Sequence, residues 1–106
     1  MLSQSDRTIL EALAHRIREE FPRAKILAFG SRTRGDATEE SDFDICVLLE
    51  KMTREDERLI GHLAWEVAFD SGQVFNVLPF TTEEFENGPM SESTLRAHIF
   101  REGIAV

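Results

Sequence analysis

Two aspartates, Asp42 and Asp44, stand two residues apart at the head of an apolar run, Ile45–Leu49. Side chains on a strand alternate between its faces, so both carboxylates are expected on one face. Like charges this close repel, and the pair calls for a cation between them. Hard oxygen donors suit Mg²⁺, which takes one or two carboxylates and completes its shell with water and substrate phosphates. An earlier apolar run, Ile26–Phe29, ends in Gly30 and Ser31. Gly30 permits an unusual backbone angle and the close approach of a ligand. Ser31 offers a hydroxyl and is expected to open a short helical turn whose free N–H groups attract anions. Arg32 and Arg34 add positive charge beside them. The chemistry these residues could do together is to hold a nucleoside triphosphate with magnesium.

The elements that must position them are two strands. The polar loop 30–41 is long enough for the second apolar run to fold back beside the first, so that the end of one strand meets the start of the next. Each half alone also reads as an ordinary turn, because Gly-Ser and Ser-Asp are common turn pairs. The joint arrangement, closed by strand pairing, favours the site. Glu39 and Glu40 lie in the same loop and read as solvated turn residues.

The segment GSRTRGDATEESDFDICVLL resembles the minimal nucleotidyltransferases of the DNA polymerase β-like superfamily, with Gly30-Ser31, ten residues, then Asp42-Phe43-Asp44. The Arg-Gly run at 32–35 is part of the likeness, and the order of elements fits over nearly the whole chain. The resemblance implies an α/β (α+β) fold, a mixed β-sheet with helices packed mainly on one face. It also implies Mg²⁺ and ATP, or another nucleoside triphosphate, bound at Asp42, Asp44, Gly30, Ser31, Arg32 and Arg34. A nucleotidyl group, AMP by this reading, would then pass to a hydroxyl, and Asp42 and Asp44 would be the catalytic acids. Many such proteins are antitoxins paired with a small all-helical partner of the HEPN type. In the resembled family a third carboxylate comes from the strand after the second long helix. The matching place here holds Asn76, an amide that offers an oxygen to a metal but cannot serve as a base near neutral pH.

Composition bounds these readings. A chain of 106 residues with 42 % apolar content fits one domain, residues 1–106, with one core. Twelve Lys and Arg against twenty Asp and Glu leave a net charge of −8, which argues against general nucleic-acid binding and for a basic protein partner. The lone cysteine, Cys46, lies in an apolar run and reads as a buried small hydrophobe. The polar start MLSQSDRT reads as no signal peptide, and no apolar run is long enough for a membrane, so a cytoplasmic location is expected. A homo-oligomer is left open.

In chain order, residues 5–20 read as a helix capped by Ser5, with Ile9, Leu10, Leu13 and Ile17 on one stripe and Pro22 beyond its end. Strands are expected at Ala24–Phe29 and Phe43–Leu49. A helix over about 53–70 follows, with Thr53 and Asp56 as its capping box and Gly72 at its end. His62 reads as surface, and Trp65 as core or partner contact. A third strand, Val74–Phe80, should run parallel to the second through a right-handed crossover, placing Asn76 towards the two aspartates. Thr81 and Glu84 cap a short helix, 82–87. A last helix from Ser91 to about Arg101 is expected to turn Leu95, Ile99 and Phe100 inward, and Ile104–Val106 to close as a short edge strand or tail. The competing functional reading is an interaction subunit that neutralises a helical partner by binding it, with little or no turnover. The amide at Asn76 and the acidic charge favour that alternative.

Overall fold

The computed structural model describes residues 2–30, 42–88 and 94–106, with the side chains of 94, 95 and 98 excepted. Two capping boxes open the two long helices. In α1, Gln4–Glu20, the Asp6 N–H donates to the Ser3 hydroxyl at 3.0 Å and the Ser3 N–H donates to the Asp6 carboxylate at 3.4 Å. The cap is therefore Ser3 rather than Ser5. Three residues after Ser3 stands an acid that can answer the cap, whereas three after Ser5 stands Thr8. Strand β1, Lys25–Phe29, and strand β2, Phe43–Leu49, come next. Helix α2, Arg54–Ser71, is boxed by Thr53 and Asp56 and ends at Gly72, whose φ of +72° is the left-handed cap that glycine adopts without strain. Strand β3, Phe75–Thr81, leads directly into α3, Thr82–Asn87, through the Thr81–Glu84 box. Helix α4, Thr94–Glu102, and the two-residue strand β4, Ile104–Ala105, complete the described elements.

The sheet order is β3-β2-β1-β4. β1 pairs antiparallel with β2 and with β4, and β2 pairs parallel with β3. The sheet is thus mixed, and its long helices lie on one face. There Leu10, Leu13 and Ile17 of α1 and Ile60, Leu63 and Val67 of α2 pack on Ile26, Ala28, Phe43, Ile45 and Val47. The opposite face carries Phe29, Cys46 and Leu48 under Phe85 of α3 and Ile99 of α4. β1 is accordingly covered on both sides, which is why its sequence barely alternates.

One expected core residue is outside. Ile99 is buried, but Phe100 is 59 % exposed. One position further round the helix, its ring sits against the outer side of Phe85, 5.2 Å between centroids, with the Arg96 guanidinium 4.4 Å from its centre. The expectation for Leu95 lies outside the described side chains. Among the described residues, no helix is long and apolar enough to cross a membrane.

Candidate functional site

Pairing register decides what meets at the open end of the sheet. Phe29, the last residue of β1, stands opposite Asp44, and Asp44 stands beside Asn76 of β3. Phe43, Ile45 and Val47 face the long helices, while Cys46 and Leu48 face the short ones. Alternation therefore puts Asp44 on the short-helix face, with Asp42 on the same side two residues earlier. Asn76 joins them by the same parity, since Leu78 and Phe80 line that face. The apolar layer stops at Cys46 and Phe29, and beyond it this face is polar and open to water. Asp44 is half-buried, and Asp42 and Asn76 are exposed.

Three contacts set the geometry. The Asn76 side-chain N–H donates to Asp44 Oδ1 at 3.1 Å, so the amide partly satisfies the inner carboxylate. Gly30 has φ +87°, and a Cβ built there would collide with Asp44 Oδ2. Glycine at 30 is therefore required twice, by its backbone angle and by the carboxylate lying against it. Phe43, buried between the two aspartates in sequence, stacks on Phe75 at 5.4 Å between centroids, and its N–H donates to the Val74 carbonyl at 2.9 Å. That anchor holds the strand ends together and fixes where Asp42 and Asp44 project.

No described lysine, arginine or histidine forms an ion pair with either aspartate. Two carboxylates with an amide beside them form an electronegative end that a hard cation would neutralise. The donor set is two carboxylates plus the Asn76 carbonyl oxygen, which half a turn of the amide would bring round. Among the described residues no group of three or more His, Cys, Asp or Glu gathers to hold a metal. Asp70 does not join: it lines a groove between α1 and α2 with Thr8, Ala12 and Arg16. Ser31, Arg32 and Arg34, with Glu39 and Glu40, lie outside the described residues.

Two features of this end were not anticipated from the residues alone. The tight fit of Asp44 against Gly30 was masked by the assignment of that glycine to phosphate binding. The Phe43–Phe75 stack carried a signal, since an aromatic between two acids on a strand must face the core.

Residues 10–101 match the nucleotidyltransferase domain family. The chain belongs to that family. Solved structures with the same fold include a chain of the toxin–antitoxin complex MntA–HpeT, in a variant with two Asp→Glu changes two positions apart. It has a TM-score of 0.58 at 20 % identity over 93 % of this chain and 69 % of that one. A protein described as a minimal nucleotidyltransferase aligns with TM-score 0.60 at 23 % identity over 94 % of each chain. A nucleotidyltransferase-like protein from Sulfolobus solfataricus aligns with TM-score 0.56 at 15 % identity, covering 99 % of this chain and 87 % of that one. No curated protein sequence matches. Within the nucleotidyltransferase fold, the acids and Asn76 occupy the open end of the sheet beside the end of β1.

Proposed function

We propose that this nucleotidyltransferase domain binds a nucleoside triphosphate, ATP by our reading, together with Mg²⁺, and transfers AMP to a hydroxyl on a partner protein. The observation that carries the proposal is the pair Asp42 and Asp44 on one open face beside Gly30, with no described basic side chain neutralising them. Asp42 and Asp44 would hold the cation, with Asn76 as a third, uncharged contact. Ser31, Arg32 and Arg34 are assigned to the phosphates from the sequence. Bound there, Mg²⁺ would neutralise the phosphates and orient the α-phosphorus for in-line attack. In that step a bond forms between the acceptor oxygen and the α-phosphorus. The bond from the α-phosphorus to the bridging oxygen breaks, pyrophosphate leaves, and the hydroxyl proton is lost to water.

Asn76 supports a second reading, in which the domain binds Mg-nucleotide but turns it over slowly. An amide provides neither the negative charge to draw in a second cation nor a base for the acceptor hydroxyl. The likeness to a toxin–antitoxin pair supports a toxin protein as acceptor; that it is a small helical protein of the HEPN type, met in the cytoplasm, is carried over from the resemblance in the sequence. In the second reading that partner is neutralised by contact alone. Mass spectrometry of the co-purified partner after incubation with Mg-ATP separates the two. Gain of one AMP that disappears in the Asp42→Asn, Asp44→Asn double variant supports transfer. Nucleotide binding that is Mg²⁺-dependent in the parent and lost in the double variant, with no mass change, supports the binding subunit. Equal nucleotide affinity in parent and double variant overturns the site itself.

A further inference from the structure

The hydrogen bond between Asn76 and Asp44 joins a fixed group to a movable one. Asp44 Oδ2 lies in the space that a Cβ at residue 30 would fill, and Gly30 leaves that space open. Asp44 Oδ1 accepts the Asn76 N–H at 3.1 Å. Strand pairing sets Phe29 on one side of Asp44 and Asn76 on the other, so the backbone holds all three positions. The Asp44 side chain is half-buried, whereas Asn76 is exposed. The carboxylate is thus the fixed part of the contact, and the amide is the part that can turn. The end torsion of an asparagine is broad and roughly two-fold, so a half turn costs little where no packing opposes it.

Chemistry decides which end of the amide faces Asp44. A carboxylate only accepts, so in the metal-free protein it draws the N–H end, the positive end of the amide dipole. With a cation between Asp42 and Asp44 the preference reverses, because the N–H end is then repelled and the oxygen end attracted. One amide cannot turn both ends to the same place, so the two contacts exclude each other. A carboxylate at position 76 has two like ends and could only repel Asp44 in the metal-free protein. The amide has two unlike ends and suits both states.

We infer that Asn76 is a two-position contact: its N–H holds Asp44 in the metal-free protein, and its oxygen turns to the cation when Asp42 and Asp44 hold one. The inference rests on the nucleotide reading, since it takes those two aspartates as the holders of the cation. It adds a threshold to that reading. Asp44 already has a partner, so Mg²⁺ alone enters only by displacing a hydrogen bond and shedding water, which it does reluctantly. Nucleotide phosphates give the same cation further oxygens and offset that cost. Mg²⁺ and nucleotide are therefore expected to bind more tightly together than apart.

NMR of the nitrogen-labelled full chain reads this amide directly. Its side-chain N–H pair is the one missing from the spectrum of Asn76→Leu, a variant of similar shape with neither donor nor oxygen. The probes are Mg²⁺ alone and Mg²⁺ with a non-hydrolysable ATP analogue. With both present, the Asn76 pair should shift and exchange faster with water, over the same concentrations that shift the backbone amides of Asp42 and Asp44. With Mg²⁺ alone the same change should need about tenfold more of the ion. Asn76→Leu should weaken Mg²⁺ binding about tenfold by calorimetry, because the oxygen is gone. An Asn76 pair that stays unmoved while the backbone at 42 and 44 shifts overturns the two-position contact and leaves the nucleotide reading standing. So does an Asn76→Leu variant that binds Mg²⁺ as tightly as the parent, or an equal Mg²⁺ requirement with and without the analogue. No backbone shift at 42 and 44 with both probes present overturns the contact and the nucleotide reading together.

Discussion

The acid end and the exposed aromatic edge at Trp65 and Phe69 start from the same anchor and diverge. Both are held by the Phe43–Phe75 stack and the Phe43 to Val74 hydrogen bond. On one face of the sheet, alternation turns Asp42, Asp44 and Asn76 outward. At the edge, α2 leaves Trp65 and Phe69 uncovered although its other side is buried at Ile60, Leu63 and Val67. The polar end is announced by residue type and spacing, because carboxylates do their chemistry wherever they project. The apolar edge has no such signature, because Trp or Phe in a helix reads as core until the packing shows which side is covered. Candidate polar sites are thus visible one strand at a time, whereas exposed apolar surfaces appear only when the covering elements have been placed.

Removing the shared anchor is the largest test of that comparison. Phe43→Ala deletes a fully buried ring and is expected to cost about 3–5 kcal/mol, measured by urea unfolding. Metal-dependent nucleotide binding should weaken with it. Loss of stability with nucleotide binding intact would show that the acid end is positioned independently of the stack.

Gly30→Ala sharpens the acid side. The left-handed angle and the clash with Asp44 should together cost about 2 kcal/mol, seen as a lower urea midpoint. A wild-type midpoint would mean that the strand end relaxes freely around residue 30.

Asn76→Asp is nearly isosteric and changes only charge. It replaces a hydrogen bond to Asp44 with a third carboxylate, so the metal-free protein should lose about 0.5 kcal/mol. Mg²⁺ should then raise its melting temperature more than it raises the parent's, and nucleotidyl transfer should increase if an acceptor is present. Equal Mg²⁺ responses in the two proteins would show that Asn76 does not share a cation with the aspartates.

Cys46 marks the line where the wet face becomes dry, two residues inward from Asp44, and carries the smallest effect. Burial pushes its thiol from 9.0 up to about 12. Unfolded protein therefore releases this proton near pH 9 while folded protein keeps it, so stability falls as pH rises from about 9 towards 12 and is untouched at neutral pH. A thiol reagent at pH 8 should leave Cys46 unmodified in native protein and label it in urea. Rapid native labelling would place it on the wet side of the boundary.

Much of this was legible before any coordinates. Thr53–Asp56 and Thr81–Glu84 each close within one helical turn, and Gly72 needs only its own backbone angle, so local chemistry suffices to place them. The β2 span, the parallel β2–β3 pairing and the position of Asn76 beside Asp44 followed from apolar runs and the handedness of a strand-helix-strand unit. Ser3 was passed over for Ser5 because both are good caps, and only the reciprocal acid at Asp6 separates them. Phe100 was placed inside because helical spacing gives a stripe without its width. α4 packs on the sheet through Ile99, over Phe29, Cys46 and Leu48, and leaves Phe100 at the rim against Phe85 and Arg96.

What the sequence alone determined is whatever is decided within a few residues or by a period: the Thr53 and Thr81 caps, the alternation that puts Asp42 and Asp44 on one face, and the family to which their spacing belongs. What only the tertiary structure decided depends on atoms brought together from distant stretches. Gly30 is held against Asp44 by the β1–β2 register, Asn76 is hydrogen-bonded to that same carboxylate, and among the described residues Trp65 and Phe69 of α2 stay exposed. The physical reason is that burial and close contact belong to pairs of elements, so neither element carries them by itself.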